Sequence, residues 1–248
     1  MEFTFEFLVF ASIVVFLSAL VQATIGFGFP MIATPLLAMM TDMKTAVIYV
    51  AIPTLLLNIS ALISEGNFLQ TIKRFYPLAL MAMIGSAIGT QILLYSNSEI
   101  FKFLLAVSIL FYLFSQKISF EMPWVRQKPN LSTFIFGLSA GIIGGLTNVM
   151  ALVLIIYSLE ARHTKKEIIQ STNLCFMFGK IIQVILFAVH GSFTQEILET
   201  SLYNLLIVAI CIIIGFNLRK KIASESYFKM IKAFLLLMAL ALIYQTIL

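Results

Sequence analysis

Charged residues are scarce in this chain of 248 residues. Asp, Glu, Lys and Arg make up 11% of it, whereas hydrophobic residues make up 61%. Soluble globular domains carry roughly 25% charged residues, so the composition excludes a soluble domain. The apolar runs are continuous rather than alternating, which excludes a membrane β-barrel. Because a bilayer offers no water to satisfy backbone amides, these runs predict an all-α integral membrane protein.

Cysteine is also rare, and its two copies, Cys175 and Cys211, lie in separate apolar runs. This spacing fits neither a disulfide framework nor a CxxC metal motif, so both thiols are expected to pack as small hydrophobic groups. No Gly-Lys-Ser/Thr of an ATP-binding loop occurs, and "GFGFPM" (Gly26 to Met31) has Met at the third glycine position of a dinucleotide fingerprint. No cofactor and no metal are expected.

Basic residues are missing from the N-terminus, which reads "MEFTFEF", with Glu2 and Glu6 where a cleaved secretory signal carries Lys or Arg. The first apolar run is therefore expected to remain in the protein. The net charge of +5 has no soluble basic domain to carry it. It is assigned to loops that orient the chain in the lipid bilayer, and no nucleic-acid partner is expected.

One motif suggests an enzyme. "GLSAG" (Gly137 to Gly141) fits the GxSxG pattern of a nucleophilic serine and raises the alternative of an intramembrane hydrolase. Such a serine needs a base, but His163 falls in a loop and His190 at the end of another apolar run. The protein is therefore expected not to be an enzyme.

Apolar runs of the length that crosses a bilayer, about 20 residues, divide the chain into two halves. The first half, 1–116, contains an ambiguous long tract at 3–40 and candidate spans at 45–63, 75–95 and 100–116. The second half, 132–248, contains an ambiguous tract at 132–159 and candidate spans at 167–189, 198–217 and 230–247. Between them, residues 117–131 contain proline and basic residues and are predicted to be a cytoplasmic linker.

The two halves resemble each other in sequence. "GNFLQ" (Gly66 to Gln70) recurs as "GSFTQ" (Gly191 to Gln195), and "SEIFK" (Ser98 to Lys102) recurs as "SESYFK" (Ser224 to Lys229). The order is the same and the offset is nearly constant, which indicates an internal duplication of the kind found in secondary transporters. The same offset places the Gly26-to-Pro30 break opposite Thr147 to Ala151.

Loop charge predicts the topology. If each ambiguous tract turns back within the membrane, Lys44 and Lys102 share one face, and all other loop Lys and Arg residues lie on the opposite face. If each tract crosses once, Lys73, Arg74 and the basic residues of the linker move to the opposite face, and the split falls from thirteen against two to ten against five. The positive-inside rule favours the first arrangement. It predicts two inverted repeats, each a re-entrant helical hairpin plus three transmembrane helices, in the inner cell membrane with both termini outside.

Polar residues and glycines gather at the two predicted turns: Gln22, Thr24, Gly26 and Gly28 at the first, and Gly144, Gly145, Thr147 and Asn148 at the second. A turn inside the membrane must be buried in protein or line a wet cavity. In transporters built this way, half-helix N-termini direct free N–H groups at an anionic substrate. The alternative is that these glycines only allow close helix packing. The hydrogen-bonding side chains favour a binding site.

Lys180 is the one basic residue near the centre of an apolar run. A central Lys costs about 2.5–3.5 kcal/mol on insertion scales, and such residues usually face a cavity and have a function. At about 100° per residue, Asn173 and Gln183 lie within roughly 80° of it. The repeat aligns Lys180 with Asn58. No Asp or Glu lies as deep, so the pattern favours an anion, and the alternative is a Lys bonded to backbone carbonyls for structural reasons.

Two segments resemble the sulfite exporter TauE/SafE family, also called the toluene sulfonate uptake permease family. They are "SALVQATIGFGFPMIATPLL" (Ser18 to Leu37) and "GLSAGIIGGLTNVMALVLIIY" (Gly137 to Tyr157), and the apolar tracts extend the likeness over the whole chain. The resemblance implies transport of a small sulfur-containing anion, sulfite or an organosulfonate, usually outward.

The resemblance and the residue pattern together suggest alternating access by rocking of the two halves. Lys180 is then the counter-ion, the turns at Gly26, Gly28 and Thr147–Asn148 supply donors, and Gln22 and Asn58 complete the site. A gated anion channel and a non-transporting membrane scaffold stay open as alternatives. The expected partners are a small anionic substrate and the lipid bilayer, and both a monomer and an oligomer are compatible with the sequence.

Overall fold

The computed structural model of the chain describes residues 3–96, 99–115 and 122–219, together with Leu236, Leu240 and Ile243. The three continuous ranges contain no strand. They contain the helices α1 (Phe5–Ile25), α2 (Phe29–Ala38), α3 (Met43–Glu65), α4 (Phe68–Tyr95), α5 (Glu99–Ser115), α6 (Trp124–Gln127), α7 (Pro129–Thr147), α8 (Ala151–Glu160), α9 (Lys165–Val189) and α10 (Gln195–Arg219).

Six of the described helices are long and apolar enough to cross a membrane: α1, α3, α4, α7, α9 and α10. At 1.5 Å per residue, the 10-residue helices α2 and α8 are too short to cross alone. The prediction of an all-α, multi-pass membrane protein is confirmed.

Both ambiguous tracts are divided into a long helix and a short one. The tract at 3–40 contains α1 and α2, and the tract at 132–159 contains α7 and α8. The helix α7 begins inside the predicted linker, because Pro129 occupies its first turn, where the missing N–H of proline costs nothing. The candidate span at 230–247 lies outside the described residues, apart from Leu236, Leu240 and Ile243.

The helix α4 begins at Phe68 rather than at residue 75. Its first turns contain Lys73 and Arg74, and Arg74 pairs with Glu167 of α9 at 2.5 Å. The predicted span begins only at residue 75, because a search for continuous apolar residues excludes these charged positions. Helices α3 and α9 begin at N-caps, where the side chains of Asp42 and Thr164 accept backbone N–H groups.

Contacts between helix ends define one end of the molecule, here called the Lys44 end. The starts of α1, α3 and α10 meet there with the ends of α4 and α9. The Phe3 backbone N–H donates to the Glu196 side chain of α10. Three further contacts join these helix ends: the Phe7 and Tyr49 rings at 5.9 Å, Lys44 Nζ and the Leu94 carbonyl at 3.3 Å, and Tyr95 Oη and His190 Nε2 at 3.0 Å.

The opposite end, here called the Arg74 end, joins the end of α3 to the starts of α4, α7 and α9 and to the end of α8. Three hydrogen bonds hold it: Gln170 to the Gly66 carbonyl at 2.9 Å, Met122 N–H to Glu160 at 2.8 Å, and Thr133 to Tyr157 at 3.1 Å. His163 lies in the same region, edge-on to Phe75 and Tyr157. Burial lowers the pKa of His163, and the Arg74 charge adds to this effect while Glu167 opposes it.

Helix α4 packs against α7 with backbone touching backbone. A β-carbon added at Gly85 would lie 2.2 Å from the Leu138 carbonyl oxygen, and one at Gly141 would lie 2.2 Å from the Ala82 carbonyl oxygen. A similar contact joins α1 to α10, where a β-carbon at Gly215 would lie 2.3 Å from the β-carbon of Ala23. Helices α3 and α9 pack against each other between these two pairs. The tightest helix pairs thus join one half of the sequence to the other.

The α4–α7 contact predicts intolerance of a single methyl group. In Gly85→Ala the new methyl meets a backbone carbonyl that cannot move without its helix, so we expect a loss of about 1–3 kcal/mol of stability. Thermal unfolding can be followed with a thiol-reactive dye, because Cys175 and Cys211 are buried. The control is Ile84→Phe, which adds volume at a neighbouring exposed position. Equal unfolding midpoints for the two variants would contradict the prediction.

Candidate functional site

The break between α1 and α2 is built on two glycines with positive φ. Gly26 has φ 102° and caps α1, and Gly28 has φ 122° and precedes α2. Backbone of this kind favours glycine. The Phe29 N–H, the first donor of α2, is taken by Gln22 Oε1 at 2.9 Å. Pro30 has no N–H. The N-terminus of α2 therefore has fewer free donors than the sequence led us to expect.

The first polar cluster, here called the Gln22 cluster, consists of Gln22, Asn58 and Asn173, all about 1% exposed. Gln22 Nε2 donates to Asn58 Oδ1 at 2.9 Å and to Asn173 Oδ1 at 3.4 Å. Asn173 Nδ2 donates to the Gly26 carbonyl at 2.6 Å and to the Ile169 carbonyl at 2.8 Å. Side chains from α1 and α9 thus satisfy the backbone exposed at the first break, and Asn58 of α3 bonds to Gln22.

The break between α7 and α8 uses asparagine where the first uses glycine. Asn148 caps α7 with φ 63°, in the left-handed region that Asn tolerates better than most residues. Thr147 Oγ1 donates to the Ile143 carbonyl at 2.8 Å and accepts the Val149 N–H at 3.3 Å. Gly26 and Asn148 therefore cap their helices in the same way, whereas the sequence repeat placed Gly26 opposite Thr147.

The second polar cluster, here called the Lys180 cluster, consists of Lys180, Asn148, Gln183 and Thr34. Lys180 Nζ donates to Asn148 Oδ1 and to Gln183 Oε1, both at 2.5 Å. Asn148 Nδ2 donates to Thr34 Oγ1 at 2.9 Å, and Gln183 Nε2 donates to the Gly145 carbonyl at 3.1 Å. The cluster joins α9 to α2 and to the end of α7.

Lys180 is 2% exposed, and both hydrogen-bond partners of its ammonium are neutral amides. Over the ranges that the structure describes, the one ion pair joins Arg74 to Glu167 at the Arg74 end. A buried ammonium usually needs a compensating negative charge. The chemistry of this cluster therefore suits a small anion better than a cation or a neutral ligand.

Comparison with known proteins agrees with this chemistry. A family model described as sulfite exporter TauE/SafE matches residues 11–242, which include both breaks and both clusters. The chain belongs to this family. The membership confirms the family expected from the sequence. No curated protein and no solved structure matches the chain.

This TauE/SafE family member brings together most of the residues that the sequence singled out. Gln22, Gly26, Asn58 and Asn173 meet in the first cluster, and Gly145, Asn148 and Lys180 meet in the second. Three other predicted site residues do not enter the described hydrogen bonds of either cluster. Gly28 supplies a backbone conformation, Thr147 stabilises its own turn, and the Thr24 hydroxyl bonds to the Leu20 and Val21 carbonyls of its own helix.

Two members of the Lys180 cluster are absent from the predicted site. Gln183 belongs to the polar stripe recognised on α9, and the helical period alone could have added it. Thr34 carries no such signal, because it lies in a short apolar helix and its partner, Asn148, is 114 residues away in sequence.

A cavity of about 500 Å³ lies elsewhere in this family member, between α1 and α10 near the Lys44 end. Its wall includes Tyr49, Thr200 and Glu199, and the rest is largely apolar. A carboxylate at its edge makes this cavity a poor site for an anion. The polar clusters, rather than this cavity, are therefore the candidate site.

The backbone at Asn148 predicts an order of stability for two variants. Asn148→Gly removes the amide but keeps a residue that adopts positive φ, whereas Asn148→Ala also forces a β-carbon into the left-handed region at about 1–2 kcal/mol. We expect both variants to unfold at lower temperature than wild type, because Lys180 loses an acceptor, and Asn148→Ala to be the less stable. In a Lys180→Met background the cost of Asn148→Gly should shrink. Equal stabilities of the Gly and Ala variants would contradict the backbone assignment.

Proposed function

We propose that this TauE/SafE family member is a secondary transporter that carries a small sulfur-containing anion, sulfite or an organosulfonate, out of the cell by alternating access. The observation that carries the proposal is the Lys180 ammonium, buried among neutral amides with no carboxylate partner in the described ranges. The anion would supply the missing negative charge. The family description, which names a sulfite exporter, supports the choice of sulfur oxyanion. The substrate is carried without chemical conversion, so the protein is not an enzyme.

We infer that α1–α2 and α7–α8 are re-entrant hairpins of two inverted repeats. Helix α1 starts at the Lys44 end, and α3, which follows α2, starts there too. Helix α7 starts and α8 ends at the Arg74 end, joined by Thr133 and Tyr157. Each pair would then leave the membrane on the side where it entered, and the two pairs would enter from opposite sides. The Arg74 end would face the cytoplasm of a cell whose inner membrane holds the protein, with both termini outside.

The backbone contact between α4 and α7 suggests which parts move. Sliding these helices would drive carbonyl oxygens into the positions of Gly85 and Gly141, so the pair should move as one unit. The α1–α10 pair is the corresponding unit. Each rocking body would then combine a hairpin from one half with a helix from the other, rather than one half of the sequence. Lys180 would lie between the bodies, in α9.

In this mechanism Lys180 binds the anion, and Asn148 borders it. Gln22 and Asn173 hold the first turn, because their hydrogen bonds already satisfy its backbone, and Asn58 holds Gln22. Gly26 and Gly28 allow that turn to form, and Gly145 and Thr147 do the same at the second. The charged turn and the neutral turn thus have different tasks.

Removal of the charge at Lys180 should abolish transport. In proteoliposomes, wild-type protein is expected to take up labelled sulfite saturably, in competition with a small organosulfonate but not with chloride. Lys180→Gln should lose this uptake by at least tenfold, because a buried charge–charge contact is lost. The matched control is Lys165→Gln, at the exposed start of the same helix, which should transport as wild type.

Three outcomes would contradict the proposal. Wild-type uptake by correctly inserted Lys180→Gln would remove Lys180 from the site. Non-saturating flux at channel rates would indicate a gated anion channel. Absence of sulfite uptake or binding by folded wild-type protein would indicate another substrate or a membrane scaffold.

The inverted topology predicts a pattern of labelling by a membrane-impermeant maleimide. Exposed sites at the hairpin ends are replaced one at a time: Glu6→Cys, Met40→Cys, Asn130→Cys and Lys165→Cys. The first two should be labelled in intact cells, and the last two only after permeabilisation. The native thiols are buried and should stay unlabelled. Labelling of Glu6→Cys and Met40→Cys from opposite sides would mean that the first tract crosses the membrane once.

A further inference from the structure

Two amides bind the Lys180 ammonium in the same way at the same distance. Asn148 and Gln183 each place a carbonyl oxygen 2.5 Å from Nζ. An ammonium only donates, so both amides must present oxygen to it and turn their NH₂ groups away. The far ends of the two amides, however, have partners of different chemistry.

The NH₂ group of Gln183 donates to the carbonyl oxygen of Gly145. That oxygen can only accept, so a reversed Gln183 would place two acceptors against each other. The NH₂ group of Asn148 donates to the hydroxyl of Thr34, which can accept or donate. Asn148 can therefore reverse and keep a hydrogen bond at its far end, whereas Gln183 cannot.

An anion at Lys180 would favour this reversal. The ammonium has three N–H donors, of which Asn148 and Gln183 take two. An anion on the third would lie beside two amide oxygens, the negative ends of their dipoles. If Asn148 turns, its N–H group replaces one of these oxygens, and the ammonium gives up that hydrogen bond. Both groups then donate to the anion, which separates them, while Gln183 continues to hold the ammonium.

We propose that Thr34 is a positioning residue of the anion site, whose hydroxyl reverses its hydrogen bond so that Asn148 offers oxygen to Lys180 when the site is empty and N–H to the anion when it is filled. This inference rests on the proposed function. Thr34 lies in α2 and Asn148 at the end of α7, and both are fully buried. The switch therefore sits in the contact between the two broken tracts, where binding can be passed from one to the other.

The test compares Thr34→Val with wild type. Val has nearly the shape of Thr but no hydroxyl. In the variant, Asn148 would therefore have an unpaired N–H when the site is empty and an unpaired carbonyl oxygen when the anion is bound. A buried N–H without a partner is tolerated less well than a buried carbonyl. We expect Thr34→Val to unfold at lower temperature without ligand, yet to bind sulfite about threefold more tightly or better. Its maximal uptake rate should fall, because release is slower.

Equilibrium binding of radiolabelled sulfite to the purified full-length protein gives Kd, and proteoliposome uptake gives the maximal rate. Thr34→Ser keeps the hydroxyl and should restore both values. The matched control is Thr54→Val, which removes an equally buried hydroxyl that bonds only to the Val50 carbonyl of its own helix in the described contacts. It should lower stability without tightening sulfite binding.

A merely structural Thr34 predicts the opposite sign: Thr34→Val would lose stability and would leave Kd unchanged or raise it. An unchanged or a raised Kd overturns the switch. The proposed function still stands in that case if wild type binds sulfite and Lys180→Gln does not. No sulfite binding by wild type would overturn the proposed function and this role with it.

If Thr34→Val fails to fold, side-chain ¹⁵N signals of labelled asparagine replace it as the readout. The Asn148 signal is identified by its absence in Asn148→Gly. It should shift on addition of sulfite in wild type and in Thr34→Ser, as its hydrogen-bond acceptor changes from hydroxyl to anion. A signal that sulfite leaves unmoved, in protein that binds sulfite, overturns the switch.

Discussion

A helix that ends inside a membrane leaves backbone groups that lipid cannot satisfy, and this constraint governs the rest of the structure. Within the described ranges, the two long apolar tracts break after Ile25 and after Thr147. At the first break Gln22 and Asn173 pair with the Phe29 N–H and the Gly26 carbonyl. At the second, Thr147 Oγ1 accepts the Val149 N–H, and Gln183 Nε2 donates to the Gly145 carbonyl. The buried amides are present because the breaks need them, and the candidate site grows from them.

The two breaks are alike in backbone and different in charge. Asn58 meets the first turn through Gln22, and Lys180 meets the second through Asn148, at positions that the sequence repeat aligns. One turn is held by neutral amides that bond to one another and to its backbone, with Asn58 Nδ2 left without a hydrogen-bond partner among the described residues. The other is held by an ammonium with spare donor capacity. Under the proposed function, the anion therefore binds nearer the second turn, where the charge lies.

Much of this was predictable from sequence, for identifiable reasons. Continuous apolar runs admit only helices, and Gly-Phe-Gly-Phe-Pro predicts a break because positive φ and a missing N–H interrupt a helix. Lys180 is conspicuous as a lone cation far from either end of its run. Thr34 was not predictable, since its importance lies in a hydrogen bond to a residue 114 positions away. The start of α4 was missed because its first turns carry charge. The sequence alignment of the halves placed Gly26 opposite Thr147 rather than opposite Asn148, because Gly and Asn can share a backbone conformation without being similar residues.

The glycines between α4 and α7 also bear on how such a protein could arise. The closest glycine contacts described, at Gly85, Gly89, Gly141 and Gly215, lie between the halves rather than within either. Association of the halves therefore does not depend on the segment of chain that connects them. Two separate copies of a shorter ancestor, inserted in opposite directions, could have formed the same pairings as a dimer. Fusion would then have preserved an existing interface and freed one copy to replace an amide with Lys180.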